Sequence, residues 1–376
     1  MKKKSFISII ITTFVIVNIF NYVSTEAADS NFIWQIEPRF EDANNFSEGL
    51  AGVKVDGKYG FINKEGKIVI EPQFEKAGSF SEGLASVKVG GKYGFINKEG
   101  KFLVKPEFED AGNFAEGMAR IKAEGKYGFI NKEGKIVIEP QFKDAGDISD
   151  GMAWVDIAKS KSYTVYGHVS KDGKIIIPVR AESRLGRFSE GLARITINYE
   201  TGYIDKEGKI VIHPQFGSSG DFSEGLSHFT IYTHDQNGAT IDFNSGYINK
   251  EGMIVIKTQF KWAYDFSEGL AGVSVNLRNK KLLCDYTRYG YVNKEGKIVI
   301  KPEFEEVGNF SEGLAWVKKV SSDGITYYGY INKKGKYIIK PEYVDKAGDF
   351  REGMSVVKEA GSSKWGYIKN PLNAGK

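Results

Sequence analysis

The eleven residues GKYGFINKEGK, from Gly57 to Lys67, return letter for letter at Gly91 to Lys101 and again at Gly125 to Lys135, a period of 34. A catalytic centre needs its special residues once, in one asymmetric cluster. Verbatim repetition instead means that one small structural unit is stacked many times. The glycine of the Tyr-Gly pair recurs at Gly60, Gly94, Gly128, Gly167, Gly202, Gly246, Gly290, Gly329 and Gly366, which makes nine copies. A second anchor, the glycine of Phe-Ser-Glu-Gly-Leu, runs from Gly49 to Gly353, also nine times. From Tyr-Gly to the next Glu-Gly the spacing is 23 or 24 residues throughout, whereas from Glu-Gly to Tyr-Gly it ranges from 11 to 21. Length variation confined to one connection marks a solvent-exposed hairpin tip whose ends are pinned together.

Within a copy, Leu84 to Val89 is short and β-branched, Gly90-Gly91 signals a turn, and Lys92 to Ile96 is aromatic and β-branched again. That is a β-hairpin. Asn63-Lys64-Glu65-Gly66 then offers a second turn into Lys67-Ile68-Val69-Ile70, with Pro72 expected to end the third strand. The unalternating Ile-Val-Ile run predicts a strand covered on both faces, and Phe74, Ala77 and Phe80 are apolar plugs on the connector. The expected architecture is all-β, a tandem array of nine three-stranded β-meander repeats, none able to bury its own apolar face alone. The chain enters in mid-repeat, with Ile33 to Phe40 matching a third strand, and leaves after Trp365-Gly366-Tyr367-Ile368, before one. Two ways of ending the array follow: an open solenoid or superhelix, or a closed propeller-like ring. Nine units exceed the usual blade count and 34 residues is short for a four-stranded blade, which favours the open array.

The pattern aromatic-Gly-[Phe/Tyr]-Ile-Asn-x-x-Gly-Lys-x-Val-Ile-x-Pro-x-Phe, followed by Phe-Ser-Glu-Gly-Leu-Ala, resembles the WG-repeat or KWG-repeat family of bacterial exported proteins, over about Asn31 to Lys369. One departure stands out. The family's tryptophan is Tyr59, Tyr93, Tyr127, Tyr166, Tyr289 and Tyr328 here, Thr201 and Ser245 in two copies, and Trp only at Trp365. The resemblance implies a repeat fold and export rather than a particular activity.

Lys2, Lys3 and Lys4 precede the largely apolar run Phe6 to Val23 and the small residues around Ala27. Residues 1–27 thus read as a secretory signal peptide, with 28–376 as the repeat array. An uncleaved anchor is the alternative, because the run is long and Glu26 makes the cleavage motif imperfect. Membrane contact is expected only through that segment. Without residues 1–27, which hold three lysines and one glutamate, the formal charge of +4 becomes +2. Lys and Glu alternate within the copies, so no basic stripe for nucleic acid is present. The single cysteine, Cys284, allows no intramolecular disulfide.

The acids before glycine, from Glu48 to Glu352, occupy the same slot in all nine copies and read as structural, since catalysis does not need a residue nine times. His168, His213, His228 and His234 lack zinc spacing, and Asp235-Gln236-Asn237-Gly238 matches a calcium loop for only two positions. No cofactor is expected. What varies inside the frame is more informative. In the strand Leu-Ala-x-Val, x is Gly52, Ser86, Arg120, Trp154, Arg194, His228, Gly272, Trp316 and Val356. Stacking would align these in a row. Such a row ordinarily packs against the neighbouring connector; its other use is ligand contact by Arg120, Trp154, Arg194 and His228, continued by Trp316, a mixture suited to sugar faces or anionic groups. The expectation is a non-enzymatic, secreted or cell-surface binding or scaffold protein contacting a cell-wall polysaccharide or a surface protein. The competing expectation is a glycan-active hydrolase with its site in the irregular middle repeats, built on paired carboxylates.

Overall fold

The computed structural model describes residues 34–373 apart from 160–163, 177–184, 280–283 and 322. The signal-peptide assignment lies outside the described residues. The repeats are antiparallel β units. In the first, Ala51–Val55, Lys58–Ile62 and Ile68–Phe74 form the expected meander, preceded by a two-residue strand, Asp42–Ala43, that pairs with Ala51–Val55. The connector thus contributes a fourth, short strand in most units. It does so because the third strand bends after its last Phe and enters the next sheet. In the eighth unit it does not break at all: Tyr337–Ala347 pairs first with Thr326–Asn332 and then with Met354–Glu359.

Two expectations about the third strand are corrected. Ile70 and Phe74 are buried, but Val69 is 44% exposed, and its equivalents Leu103, Val137, Val211, Val255 and Val299 are exposed as well. The strand is covered on one face only, because it is an edge strand and the neighbouring unit packs against the Ile70 side alone. Pro72 does not end it either; it lies within Ile68–Phe74, where an edge strand tolerates a missing N–H. The register shift opposite Tyr59 to Phe61 explains the Tyr-Gly glycine. A Cβ on Gly60 would lie 2.5 Å from the Ile70 carbonyl oxygen, and the same close approach recurs at Gly94, Gly128 and Gly290.

The nine-unit all-β array is as expected, and its ends meet. Trp34–Phe40 pairs antiparallel with Trp365–Lys369 and supplies the third strand that the ninth copy lacks. Tyr367 donates to the Asn44 carbonyl at 2.7 Å and packs against Phe46 with ring centroids 4.9 Å apart. Of the two ways to end the array, the chain therefore takes the closed one rather than the favoured open one. The reason is that each unit leaves an interface only a neighbour can fill, and closure fills the last two with each other.

Units are joined by their Phe-Ser-Glu-Gly turns. Phe80 meets Phe61 of the preceding unit edge to face at 4.8 Å, Phe114 meets Phe95 at 5.0 Å, and Phe310 meets Tyr291 at 4.8 Å. Ser47 Oγ donates to the Phe80 carbonyl, and Ser81 Oγ to that of Phe114. Glu48 accepts from the Gly83 amide at 3.0 Å and pairs with Lys98 at 3.1 Å; Glu82 accepts from Gly117 at 2.9 Å and pairs with Lys132 at 2.9 Å. At closure, Glu352 accepts from the Glu48 and Gly49 amides and pairs with Lys64. The repeated acid is structural, as expected, but its acceptor role lies between units rather than within its own turn. Each sits at positive φ, from 49° to 57°, a strain of about 1 kcal/mol or more that the inter-unit bonds offset. Lys132 holds the Glu82 carboxyl below the usual carboxylate range.

The extended connections are hairpins. Leu226–His234 pairs with Thr240–Asn249 out to His234, and Leu270–Asn279 with Cys284–Asn293 out to Asn279. Replacing residues 232–242 by a two-residue turn should change the melting temperature by less than about 3 °C, because loop closure varies slowly with length. Deleting residues 34–40 should lower it by more than about 10 °C or abolish the cooperative transition, since Tyr367 and Ile368 lose their cover. Thermal scans of both variants test the assignment of tip and closure.

Candidate binding site

The row expected from the sequence forms along one strand of each unit, and its side chains lean on the connector of the same and the following unit. The Gly146 amide donates to the Trp154 carbonyl, and the Trp154 indole lies over Gly146, where an added Cβ would stand 2.1 Å from Nε1. Gly308 and Trp316 repeat this arrangement, as do Gly220 and His228. Glycine is required at these connector positions because a large side chain crosses them. Arg120 reaches forward to Asp147 at 3.3 Å and to the Ala145 carbonyl at 3.2 Å, and stacks over Tyr127 at 5.1 Å. Arg194 donates to the Ser219 carbonyl, and His228 Nε2 stands 3.7 Å from Asp265. The row is therefore half-buried rather than free: the Arg120 and His228 side chains are 21% and 25% exposed.

Its outer edges line clefts shared between consecutive units. Trp154, Arg187, Arg194, Thr196 and Asp221 line one of about 420 Å³. His228, Tyr264, Asp265, Glu306, Trp316 and Asp349 line another of about 390 Å³, so four successive units contribute to one cleft. A third, of about 380 Å³, shares Glu306 and Trp316 and adds Asp42, Tyr328, Lys346 and Trp365. Arg194 and Trp154 thus stand together, as do His228 and Trp316. Arg120 lines none of these three clefts and is engaged by Asp147 and Asp110.

A second variable slot was missed. The residue before the plug, which is phenylalanine in every copy but the fourth, where it is Ile148, reads Asn45, Ser79, Asn113, Asp147, Arg187, Asp221, Asp265, Asn309 and Asp349. It faces the row, as Asp147 faces Arg120 and Asp265 faces His228. Variation inside a fixed frame, the signal that found the row, marks this slot equally well. The tryptophan slot of the repeat flanks the same belt, with Tyr328 5.6 Å from Trp316 and Tyr289 stacked on Tyr264 at 5.8 Å.

Burial raises the Asp265 and Asp349 carboxyls; Asp221 adds to the first, and Arg351 opposes the second. Burial, and then Arg194, push His228 down to about 4. Asp235 closes its own hairpin tip by accepting from the Asn237 and Ala239 amides. Among the described residues no three His, Cys, Asp or Glu converge as metal ligands would.

The array of small antiparallel units and its variable belt define an all-β repeat protein. The model of the WG-containing repeat matches nine times, at residues 34–59, 59–93, 93–127, 127–157, 166–200, 202–228, 246–278, 289–319 and 328–362. The chain belongs to the WG-repeat family. No curated protein matches it significantly. Among solved structures it is similar to PorZ, a bacterial surface component of the type-IX secretion system of Porphyromonas gingivalis. That likeness has 12% identity and a TM-score of 0.30, over 88% of this chain and 53% of PorZ. The chain thus spans about half the length of that protein. It is also similar to Hsv2 of Kluyvelomyces marxianus, at 9% identity and a TM-score of 0.33, over 65% of this chain and 83% of Hsv2.

His168 occupies the slot that holds Phe61, Phe95 and Phe129 in the first three units, and burial pushes it down to about 4 while Nε2 bonds the Gly186 carbonyl at 2.9 Å. With a folded pKa below the unfolded value of about 6.5, the unfolded chain takes up the proton first as pH falls. Stability is therefore full above about pH 6.5 and declines towards about pH 4. His168→Phe should raise the melting temperature more at pH 5 than at pH 7.5. An equal shift at both would assign the acid sensitivity to other groups.

Proposed function

We propose that this chain is a non-enzymatic, exported binding protein whose belt contacts a cell-envelope glycan. The observation that carries the reading is that side chains differing from copy to copy share clefts across consecutive units, while everything that holds the units together repeats. Trp154 with Arg194 and Asp221, and Trp316 with Asp265 and Asp349, each combine an aromatic face with hydrogen-bonding charges. That is the chemistry a sugar ring meets, its C–H face on the aromatic ring and its hydroxyls on the charges. Repeat arrays bind along such continuous surfaces. The lysine-led apolar segment at residues 2–23 supports export to the cell surface or beyond.

One observation favours a second reading, a glycan-active hydrolase: the raised Asp265 carboxyl shares a cleft with Glu306 and Asp349, and a raised carboxyl suits a general acid. Incubation of the purified protein with wall polysaccharide separates the two. Retention without new reducing ends supports binding; release of reducing ends supports the hydrolase. In the binding reading, Trp154→Ala with Arg194→Ala should weaken retention at least about tenfold, the loss of one stacked ring and one charged donor. Some loss of melting temperature is expected as well, because Trp154 packs over Gly146 and Arg194 bonds the Ser219 carbonyl, so retention is compared for the folded fraction. A large thermal loss with unaltered retention by the folded fraction would assign them to packing.

A further inference from the structure

The aromatic slot that flanks the belt lacks a ring in two consecutive copies, where Thr201 and Ser245 stand in place of tyrosine. In the first of these Thr201 lines the Trp154 cleft where other copies set a ring. Ser218 lines the same cleft, and the Tyr232 hydroxyl of the sixth unit donates to Ser218 Oγ at 3.4 Å. Tyr232 reaches that place across Gly217, where an added Cβ would lie 2.2 Å from its ring. Glu41, Glu75 and Glu109 hold the Gly217 slot in other copies.

Tyr232 begins a row of three rings. It stands opposite Phe243 on the paired strand, with centroids 6.3 Å apart, and Phe243 meets Trp262 at 4.8 Å. Trp262 is 52% exposed and Tyr232 39%. Neither ring belongs to the repeat: Tyr232 lies in the extended hairpin, and Trp262 occupies a connector slot that carries Asp42, Lys76, Asp110 and Glu306 in other copies. Nor is the row loose. The Trp262 amide donates to Ser274 Oγ at 3.0 Å and its carbonyl accepts from the Ser274 amide at 2.9 Å, while Lys261 lies over Phe243 at 5.6 Å. A tryptophan half exposed on a backbone held this firmly is more than packing requires, and such groups mark contact surfaces.

From this continuity we infer that the polysaccharide chain held in the Trp154 cleft runs on past Thr201 and Ser218 and lies across Tyr232, Phe243 and Trp262, its sugar faces on the rings. The steps between rings, 6.3 and 4.8 Å, are comparable to the length of one sugar unit, so successive units each find a ring. Sugar C–H faces pack on such rings, and the Tyr232 and Ser218 hydroxyls meet the chain's own hydroxyls. The row is neutral, since the lysine beside it, Lys261, is paired with Asp242. Rigid aromatic side chains give this contact area at low cost in conformational entropy. The inference rests on the glycan reading and lengthens its site.

The test is calorimetric titration of the purified protein with wall polysaccharide cut by partial hydrolysis and fractionated into disaccharide and octasaccharide. The octasaccharide should bind at least about tenfold tighter than the disaccharide, the contribution of the added rings. Y232A with W262A should remove that gain and leave the affinity for disaccharide unchanged. Equal affinity for the two fragments, or a gain that survives Y232A with W262A, overturns the inference. A surviving gain that W154A with R194A abolishes would leave the glycan reading standing without it. Failure of both fragments overturns the inference, and failure of the uncut polysaccharide as well removes the glycan reading too. Should Y232A with W262A fail to fold, W262A alone and the Trp262 indole NMR signal of the wild type decide. That signal should move with octasaccharide and stay in place with disaccharide; a signal that neither fragment moves, or that both move alike, overturns the inference.

Discussion

Everything in this protein depends on one turn handed from unit to unit. The plug residue of each copy, phenylalanine in all but the fourth, where it is Ile148, enters the preceding unit, and the turn of that unit bonds the backbone of the plug's own turn, as Phe80, Ser47 and Glu48 do at the first junction. An aromatic contact of this kind contributes about 0.5 to 1.5 kcal/mol beyond its buried area, and a charged acceptor on a backbone amide somewhat more. A single unit has neither half satisfied. The junction, rather than the unit, is the element that folds.

Closure follows from the same interaction. The ninth turn offers Glu352 to the Glu48 and Gly49 amides and Lys64 to that carboxylate in return, just as interior junctions do. With the strand Trp34–Phe40 completing the last sheet, neither end of the array is left with an unfilled interface. The frame therefore holds each strand of the belt in the same setting, and the residues it leaves free can differ without disturbing it. Arg194 and Trp316 stand at one slot of that frame, and Asp221 and Asp349 at another. Clefts of different lining, with Arg187, Arg194 and Asp221 near Trp154 and Asp265, Glu306 and Asp349 near Trp316, result from substitution alone, with no change of backbone.

The amino-acid sequence determined the repeat, the hairpins, the inter-unit spacing and the position of variation, because each of these is local or periodic. The Tyr-Gly glycines, the long tips and the row from Arg120 to Trp316 could be placed without coordinates. It misjudged Val69 and its equivalents, because an Ile-Val-Ile run reads the same whether the neighbouring unit covers one face or two, and only the path of the bent third strand decides which. It also read Pro72 as a stop, when an edge strand has a free side to spare for a missing donor. Whether the ends meet depends on the small rotation accumulated across nine junctions, a quantity no single repeat encodes. Tertiary structure alone set the acids of the connector opposite the row and merged four units into one cleft, because residues as distant as His228 and Asp349 become neighbours only when the units stack.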